Sequence, residues 1–534
     1  MKYRFILFMA FASVCAFAQD NLSALMPMPN HISENGKQYF AVDKTKTTIE
    51  ISADSLRNEA SVAKEILHER LNIELPTQIA NHLSASKTRR IRLLIDPSIS
   101  GTEHYILTVT TSELTIRSAT RAGIFYGLMT LDQLLMGDYS HTQASRIQAI
   151  TIDDTPRFAY RALMIDPARN FLPAKDVKFY IDRMAHYKYN VLQIHLTDDQ
   201  GWRLEIKSHP ELTSATASQG KFYTQEEMKD IIAYAANRHI TIIPEIDIPG
   251  HTVSLLAVHP EMGCTNTDTM PKNVGKTTNM MLCASQLPVY DLCNDIIKEV
   301  ARIFPSEYIH LGGDEAAVAQ NWAKCDRCQL LMKENGYTDA SQLMNIFFGK
   351  IIPMVRAEGK KAMLWCELDN IRMPASKYLF DYPKDVALVT WRNGLTPLCL
   401  KLTGEAGNDI IMAPGEYTYL DYPQYKNDLP EFDNWGMPMT TLETCYQFDP
   451  GYGKPAAEQK HIKGVMGTLW GEAMKDINRV NYMTYPRALA LAEAGWTNME
   501  HRGWRSFLQR MYPNLDDMMK NGVSLRVPFE VVRK

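Results

Sequence analysis

From about residue 156 onward, short apolar runs alternate with segments of helical periodicity. Eight apolar runs are visible, at 162–165, 191–195, 241–246, 308–311, 362–364, 387–389, 410–412 and 465–469. Helical periodicity fills four of the intervals, at 175–187, 225–238, 287–303 and 341–356. Strands alternating with helices predict parallel strands joined by right-handed crossovers. Eight such units predict an α/β fold of the (β/α)8 TIM barrel type, and a doubly wound open sheet is the alternative.

The first part of the chain has another pattern. Strand-like runs at 91–95, 105–109 and 114–116 are mixed with helical stretches near 56–71 and 122–135. This mixture predicts a small α+β domain with an antiparallel sheet over residues 19–155. The polar, turn-rich segment from Asp153 to Arg157 marks its end, so residues 156–534 form the barrel domain together with a C-terminal helical segment.

The amino terminus has the pattern of a signal peptide. Lys2 and Arg4 precede an apolar run over 5–17, which ends in Ala16-Phe17-Ala18. The run is too short to span a bilayer and closes with small residues, as cleavage sites do. We therefore expect removal of residues 1–18 and export to the periplasm or the extracellular space. No later apolar stretch approaches the length needed to span a membrane, so we expect no membrane-spanning segment after residue 18.

Composition narrows the class of partner. The 534 residues carry 57 Lys and Arg against 61 Asp and Glu, a net charge of −4, and 45% are hydrophobic. These are globular values, and the absence of a basic excess argues against a nucleic-acid partner. The oligomeric state is left open.

The cysteines suggest disulfides more than a metal. Cys325 and Cys328 form a lone C-x-x-C, and a zinc ribbon would need a second pair at similar spacing. In an oxidising compartment we expect a local disulfide there, with Cys264 and Cys283 as a second candidate pair. The sequence leaves the connectivity open.

The residues that follow the apolar runs are rich in acids, His, Arg and Trp. In a TIM barrel these positions meet at one face and form the active site. They are Asp166, Arg169, His195, Asp198, Asp199, Glu245, Asp247, His251, Asp314, Glu315, Trp365, Glu367, Trp391, Trp470 and Glu472. Carboxylates and Trp rings in one mouth are typical of a sugar site, since carboxylates bind hydroxyls and indole faces stack on sugar rings.

The most informative segment is Gly312-Gly313-Asp314-Glu315 after the fourth run. Two glycines allow a tight turn, and two consecutive acids follow. Adjacent carboxylates resist joint ionisation, which suits one of them to act as a general acid. The alternative is a helix N-cap with a solvated neighbour. Adjacent acids do not fit the usual glycosidase layout, in which two carboxylates flank the scissile bond.

Five ordered motifs resemble the β-N-acetylhexosaminidases of glycoside hydrolase family 20. They are RALMIDPARNF (161–171), HLTDDQGWRLEIKSHPELT (195–213), PEIDIPGHT (244–252), HLGGDEA (310–316) and LWGE (469–472). The resemblance covers essentially the whole mature chain, and it implies an enzyme that releases terminal β-linked GlcNAc or GalNAc with retention. It implies no cofactor and no metal.

The resemblance also implies roles for individual residues. Glu315 would be the general acid and base, Asp314 would orient the 2-acetamido group, whose oxygen is the nucleophile, and Tyr419 would donate to that oxygen. Sugar-binding roles fall to Arg161, Asp421, Glu472, Trp365, Trp391 and Trp470. A second layer of residues would polarise and position the acid pair: His195, Asp198, Asp247 and His251.

One position departs from the family pattern. A third wall Trp is often found in a Tyr-Asp-Trp-Asp-Pro-like segment, where this chain has Tyr446-Gln447-Phe448-Asp449-Pro450. Phe448 is therefore expected at a sugar face, with less area than an indole.

Other functions stay open on the sequence alone. These are a carbohydrate-binding homologue without turnover, a retaining barrel glycosidase with a protein nucleophile, and a family-20 enzyme that releases a disaccharide or a sulfated GlcNAc.

Overall fold

A computed structural model of the chain describes residues 21–79, 89–136, 146–264, 280–369, 375–425, 437–455 and 459–529. The predicted signal segment, residues 1–18, lies outside these ranges. The strands are β1 (His31–Ala41), β2 (Thr47–Ile51), β3 (Thr77–Ile79), β4 (Arg89–Ile95), β5 (Tyr105–Val109), β6 (Glu113–Ser118), β7 (Arg146–Asp154), β8 (Tyr160–Ile165), β9 (Val191–His195), β10 (Thr197–Asp198), β11 (Gly201–Trp202), β12 (Thr241–Glu245), β13 (Tyr308–His310), β14 (Lys361–Trp365), β15 (Ala387–Val389), β16 (Ile410–Met412) and β17 (Ile462–Leu469). The helices are α1 (Arg57–Leu71), α2 (Arg121–Met136), α3 (Ala174–His186), α4 (Ala215–Ser218), α5 (Gln225–Ala236), α6 (Val253–Leu256), α7 (Leu287–Ile303), α8 (Asp326–Glu334), α9 (Leu343–Ala357), α10 (Thr396–Ala406), α11 (Gly415–Thr418), α12 (Leu442–Gln447), α13 (Ile477–Thr484), α14 (Arg487–Trp496) and α15 (Trp504–Lys520).

The first seven strands form one sheet in the order β1-β7-β5-β6-β4-β2-β3. The prediction of an antiparallel sheet is wrong for part of it. The pairs β1–β7, β5–β7 and β5–β6 are antiparallel, whereas β4–β6, β2–β4 and β2–β3 are parallel. For β2 and β3 the reason is α1, which lies between them and returns the chain in the same direction. For β4 and β6 it is β5, which lies between them in the chain and runs antiparallel to β6.

The remaining long strands close into an eight-stranded barrel in the order β12-β13-β14-β15-β16-β17-β8-β9. Every neighbouring pair is parallel, so the predicted TIM barrel is confirmed. Each of the eight apolar runs becomes one strand. Helices α3, α5, α7 and α9 occupy the four intervals of helical periodicity, and α7 has the predicted bounds.

The interior of the barrel is a packed apolar core and not a pore. Small and medium side chains from alternate positions fill it: Ala162, Met164, Val191, Ile243, Met363, Ala387, Val389, Ile411 and Met466. Trp365 closes this core, and the half-buried rings of Trp391 and Trp470 pack against it. These three residues stand at or just beyond the carboxyl ends of their strands, so the core ends where the mouth of the barrel begins.

The N-terminal sheet and the last helices pack on the barrel through buried polar contacts. The indole Nε1 of Trp496 donates to Asp154 Oδ2 over 2.9 Å, and Asn514 Nδ2 of α15 donates to the carbonyl of Ala24 over 2.9 Å. Arg510 of α15 forms a buried ion pair of 2.8 Å with Glu493 of α14. The C-terminal helical segment therefore joins the first domain to the barrel. In the described part of the chain, no helix has the length and apolar character needed to cross a membrane.

Candidate active site

The turn after β13 is built around one buried carboxylate. Gly312 and Gly313 have φ angles of 66° and 93°, a region that side chains other than glycine rarely adopt. A Cβ atom on residue 312 would lie 1.7 Å from Oδ1 of Asp247, and the N–H of Gly313 donates to that same oxygen over 3.2 Å. The glycine pair therefore lets the backbone wrap around Asp247 and present the next two residues to the mouth of the barrel.

Those two residues, Asp314 and Glu315, have different environments. Asp314 is 6% exposed, and its buried Oδ1 has no hydrogen-bond partner among the described residues. Burial raises the pKa of the Asp314 carboxyl. The side chain of Glu315 is 54% exposed and reaches the mouth from a left-handed backbone with φ of 47°. A buried acid with a free oxygen thus stands beside an accessible one.

His251 contacts both acids. Its Nε2 lies 3.7 Å from Oδ2 of Asp314 and 3.7 Å from Oε2 of Glu315, while its Nδ1 lies 3.3 Å from Oδ1 of Asp198. Burial would lower the pKa of His251, but the Asp198 carboxylate outweighs burial and holds this pKa well above its usual range. His251 therefore bridges Asp198 to the acid pair, and these carboxylates favour its protonated form.

Asp198 is the centre of this charge network. Its Oδ2 lies 2.8 Å from Nε2 of His195 and 2.9 Å from a guanidinium nitrogen of Arg169. Burial opposes ionisation of Asp198, but the cationic Arg169 and His251 hold its pKa well below the usual range. Behind it, His195 Nδ1 lies 3.1 Å from Glu245, whose position in β12 is in register with His195 in β9.

The carboxylates of Asp247 and Asp314 lie close together, with one oxygen of each within 4.8 Å of the other. Burial, and then the charge of Asp314, raise the pKa of Asp247 well above its usual range. Its Oδ2 is buried without a hydrogen-bond partner among the described residues. Two adjacent buried carboxylates resist joint ionisation, so this pair favours holding a proton on one of its members.

Arg169 joins this charge network to a second polar group, formed with Asp166, Glu472 and Asp421. The guanidinium of Arg169 lies 2.7 Å from Asp166 and 3.4 Å from Glu472, and it stacks 5.1 Å from the Trp470 ring centre. Asp421 lies 3.5 Å from the backbone nitrogen of Trp470. Burial and the nearby Glu472 raise the pKa of Asp421 to about 8. This group offers donors and acceptors suited to sugar hydroxyls.

Aromatic rings line the polar residues of the site, and the Trp470 ring contacts both Arg169 and His195. The Trp365 and Trp470 ring centres are 5.7 Å apart, and Trp365 Nε1 donates to Glu245 over 2.8 Å. Tyr419 is 5% exposed, and its ring centre lies 6.5 Å from that of Trp470. Trp391 is half-buried, with Arg392 3.8 Å from its ring centre. The site thus combines an acid pair, a second group of charged side chains and several aromatic rings.

Comparison with known proteins agrees with this arrangement. The family model described as "Glycosyl hydrolase family 20, catalytic domain" matches residues 158–499, and the model described as "Glycosyl hydrolase family 20, domain 2" matches residues 22–155. The chain belongs to glycosyl hydrolase family 20. It is therefore a glycoside hydrolase.

Named relatives support the same assignment. A β-hexosaminidase of Akkermansia muciniphila is 36% identical over 460 residues, which are 84% of this chain and 90% of that protein. A β-hexosaminidase of Porphyromonas gingivalis is 30% identical over 94% of this chain and 64% of its own length. Among solved structures, the family-20 exo-β-N-acetylglucosaminidase of Vibrio harveyi with N-acetylglucosamine superposes with a TM-score of 0.82 at 30% identity, covering 96% of this chain and 80% of that one. The N-acetyl-β-hexosaminidase of Streptomyces plicatus in complex with Thio-NAglucal gives 0.79 at 28% identity, covering 96% and 97%.

The structure corrects the prediction for Arg161. Arg161 is the second residue of β8 and not its end, and it is 1% exposed. Its guanidinium binds Glu103 over 2.7 and 3.0 Å and donates to the carbonyl of Phe158 over 2.8 Å. Side chains alternate along a strand, and the neighbours Ala162 and Met164 fill the interior, so Arg161 points outward toward the N-terminal domain. Arg169, eight residues further along the chain, is the arginine that lies beside Glu472 and Trp470.

Phe448 is also misplaced by the prediction. It is 1% exposed and stacks on Tyr417 with ring centres 5.2 Å apart and planes inclined by 15°. Its carbonyl accepts a hydrogen bond from Arg502 over 2.9 Å. Phe448 directly follows α12, and its ring fills the core there. A ring buried in this way has no face left for a sugar.

Two further buried acids near the strand ends received no role from the sequence. Glu367 is 2% exposed and accepts from Arg392 over 3.3 Å, and burial raises its pKa to about 8. Glu245 accepts from Gln193 and Trp365, both over 2.8 Å. Both acids follow or end barrel strands, so the strand-end rule found their positions without distinguishing their roles.

Several site residues lie close enough to share an ion. The groups His195-Glu245-Asp247, Asp198-Asp199-His251 and Asp247-His251-Asp314 each bring three potential ligand atoms within 4.8 Å. Neighbouring carboxylates raise the pKa of His195, against the effect of burial, as they do that of His251. The imidazoles in these groups already contact carboxylates of the charge network, with His195 Nε2 2.8 Å from Asp198 and His251 Nδ1 3.3 Å from Asp198.

Proposed function

We propose that this chain is an exo-acting, retaining β-N-acetylhexosaminidase that releases terminal β-linked GlcNAc or GalNAc by substrate-assisted catalysis. The observation that carries the proposal is the buried Asp314 beside the accessible Glu315, with His251 3.7 Å from both. Adjacent acids cannot flank a scissile bond, but they suit a sugar that supplies its own nucleophile. The names of the relatives, β-hexosaminidase and exo-β-N-acetylglucosaminidase, support the same substrate class.

In the proposed reaction Glu315 donates its proton to the glycosidic oxygen as the bond to the anomeric carbon breaks. The carbonyl oxygen of the 2-acetamido group attacks that carbon and forms an oxazolinium ion. Asp314, with its unpartnered buried oxygen, accepts from the acetamido N–H and stabilises the positive charge. Tyr419 donates its hydroxyl to the acetamido oxygen. Glu315 then deprotonates water, which attacks from the original face, so the configuration is retained.

The second polar group supports exo action. Arg169, Asp421 and Glu472 converge beside Trp470, where they would bind the outer hydroxyls of one terminal sugar and close that end of the site. A longer glycan would then extend only past Glu315. The release of a disaccharide would require more room on the closed side.

The deciding experiment measures hydrolysis of an aryl β-GlcNAc by the wild type and two variants. Glu315→Gln should lose at least about 100-fold in kcat, because general acid–base catalysis contributes at least that much. The control is Glu307→Gln, which alters an exposed acid immediately before the same strand β13. An inactive wild type, or undiminished activity in Glu315→Gln, would contradict the proposal.

A second measurement separates the mechanisms. A thiazoline mimic of the oxazolinium ion should inhibit strongly, and Asp314→Asn should weaken that inhibition. A trapped covalent glycosyl-enzyme would instead indicate a protein nucleophile, and binding of the thiazoline without turnover by the wild type would indicate a carbohydrate-binding homologue.

We also propose that the protein is exported through residues 1–18 and acts in the periplasm or outside the cell. The support is the basic start, the short apolar run and Ala16-Phe17-Ala18. Amino-terminal sequencing of the secreted protein should begin at Gln19, and an unprocessed Met1 terminus would contradict export by this route.

A further inference from the structure

Four cysteines from three separate segments meet in one cluster. The sulfur atoms of Cys264, Cys283, Cys325 and Cys328 all lie within 4.8 Å of one another, and their thiols are free. Sγ of Cys328 lies 3.7 Å from that of Cys264 and 3.5 Å from that of Cys283. A zinc ion bound tetrahedrally at about 2.3 Å from each sulfur requires sulfur atoms about 3.8 Å apart. The observed spacing matches this requirement.

We propose that Cys264, Cys283, Cys325 and Cys328 bind a structural zinc ion. Cys283 and Cys328 are fully buried, Cys325 is 8% exposed and Cys264 is half-buried. Four protein thiolates complete a tetrahedral shell and leave no position for a substrate or a reactive water, which is typical of structural zinc and not of catalytic zinc. The site goes beyond the glycosidase chemistry, which does not use these residues.

The local backbone suits thiolate ligands. Cys325 is the N-cap residue of α8, and Cys328 lies in the first turn of that helix. The positive end of a helix dipole stabilises thiolates placed there. Ser285 Oγ lies 3.1 Å from the sulfur of Cys283 and can donate a hydrogen bond to it, as the partners of zinc ligands commonly do.

The other two ligands are held together by a short antiparallel bridge. Gly263 pairs with Leu282, and the N–H of Cys283 donates to the carbonyl of Met262 over 2.9 Å. This bridge brings Cys264 and Cys283 side by side although they lie far apart in sequence. It supplies the second ligand pair that the lone C-x-x-C lacks in the sequence.

The contact pattern favours one shared ion over two disulfides. Cys328 has both Cys264 and Cys283 as close neighbours, whereas the expected disulfides would pair Cys325 with Cys328 and Cys264 with Cys283. A disulfide needs a sulfur–sulfur bond of about 2.05 Å and commits each sulfur to one partner. A sulfur in contact with two others is the arrangement that a common metal ion produces.

The cluster connects the two loops that carry the acid–base network. Leu282, next to Cys283, donates its N–H to the carbonyl of Pro249 over 2.9 Å, and Pro249 precedes His251 by two residues in the same loop. The carbonyl of Leu282 accepts from Trp322 Nε1 over 2.8 Å, on the connection that runs from Glu315 to Cys325. Zinc would therefore fix the His251 loop against the Glu315 loop, and the four cysteines act as positioning residues.

The test begins with metal analysis of the full-length protein, purified without chelators after expression in zinc-supplemented medium. The wild type should contain about one zinc ion per chain, and Cys283→Ser and Cys328→Ser should contain almost none. Cys293→Ser is the matched control, because Cys293 is a buried thiol of α7 outside the cluster. It should retain zinc.

Further measurements keep the test decisive if a buried variant fails to fold. Cys264 is only half-buried, so Cys264→Ser should fold and lose zinc, whereas Cys264→His should retain it as a fourth ligand. Cobalt substitution of the wild type should give the visible absorption of tetrahedral cobalt thiolate, and titration with an organomercurial should release zinc in step with reaction of the four thiols. Loss of zinc should lower the thermal midpoint. It should also lower kcat by a larger factor than it changes KM.

Two outcomes would overturn the proposal. One is a wild type that is folded, as shown by a cooperative thermal transition, and contains no stoichiometric zinc after expression in zinc-supplemented medium. The other is a mass-spectrometric map that finds the four cysteines joined in two disulfides. Because metal content is measured independently of hydrolysis, neither outcome depends on the proposed substrate.

Discussion

Gly312 passes so close to Asp247 that a Cβ atom would lie 1.7 Å from the Asp247 carboxylate oxygen. The close approach explains how adjacent acids reach the barrel mouth in a fixed orientation. The loop after β12 supplies the carboxylate, and the loop after β13 turns around it with φ of 66° at Gly312. The position of Asp314 and Glu315 therefore depends on two loops and not on the acid pair alone.

Gly312→Ala should abolish most activity, because the added methyl group forces the turn away from Asp247 and moves both acids. We expect a loss of kcat of at least about 100-fold, since small displacements of catalytic groups have effects of that size. Gly359→Ala is the control, because Gly359 has a φ of 72° with nothing within 4 Å of the added Cβ. It should lower stability by about 1 kcal/mol and leave kcat unchanged. Equal kinetics in the two variants would show that the close approach does not position the acids.

Arg169→Lys and Arg161→Lys form a matched pair of buried substitutions. Lysine keeps the charge but loses the planar fork that binds two acceptors. Arg169→Lys should lower kcat/KM by about 100-fold, because each charge-assisted hydrogen bond is worth about 1.5–3 kcal/mol. Arg161→Lys should lower the thermal midpoint through its lost Glu103 contacts but leave kcat/KM within about threefold. The opposite ranking would restore Arg161 as the sugar-binding residue.

The barrel could be predicted from the sequence because its signal is local. Each strand is a short apolar run, and each helix between strands shows its own periodicity, so eight units can be counted without knowing any contact. The strand-end rule then gave the positions of nearly all site residues. The mixed N-terminal sheet was less visible, since the choice between parallel and antiparallel pairing depends on how the chain returns around α1.

The errors at single residues have one physical cause, which is side-chain direction. Arg161 and Arg169 lie eight residues apart in one motif, and only the alternation along β8 shows that Arg161 faces outward. Phe448 follows a pattern in the sequence but stacks on Tyr417 in the core. The cysteine cluster was missed for a related reason, because the Gly263–Leu282 bridge that completes it has no local sequence signal.

Phe448→Leu tests the corrected role of that ring. It should lower the free energy of unfolding by about 1–3 kcal/mol, and with it the thermal midpoint. The reason is that leucine removes an aromatic stack with ring centres 5.2 Å apart and leaves part of a buried volume unfilled. Its KM for an aryl β-GlcNAc should not change.

Trp391→Phe is the comparison variant. It should raise the KM and cost less stability than Phe448→Leu, because Trp391 is half-buried at the mouth. A change in KM for Phe448→Leu would return this ring to the site.

Glu367 should make the folded protein lose stability as the pH rises. Burial raises the pKa of Glu367 to about 8 from the usual value of 4.5, so the folded state binds more protons than the unfolded state between these values. Stability must therefore be highest below about pH 4.5 as far as this group is concerned, and its contribution declines as the pH rises toward about 8. Glu367→Gln cannot ionise and should flatten the decline. Urea unfolding between about pH 5 and about pH 8 measures the slope, and Glu405→Gln, an exposed acid of α10, should keep the slope of the wild type. Identical slopes in Glu367→Gln and the wild type would mean that Glu367 is ionised in the folded protein at neutral pH, with Arg392 as a full counter-charge.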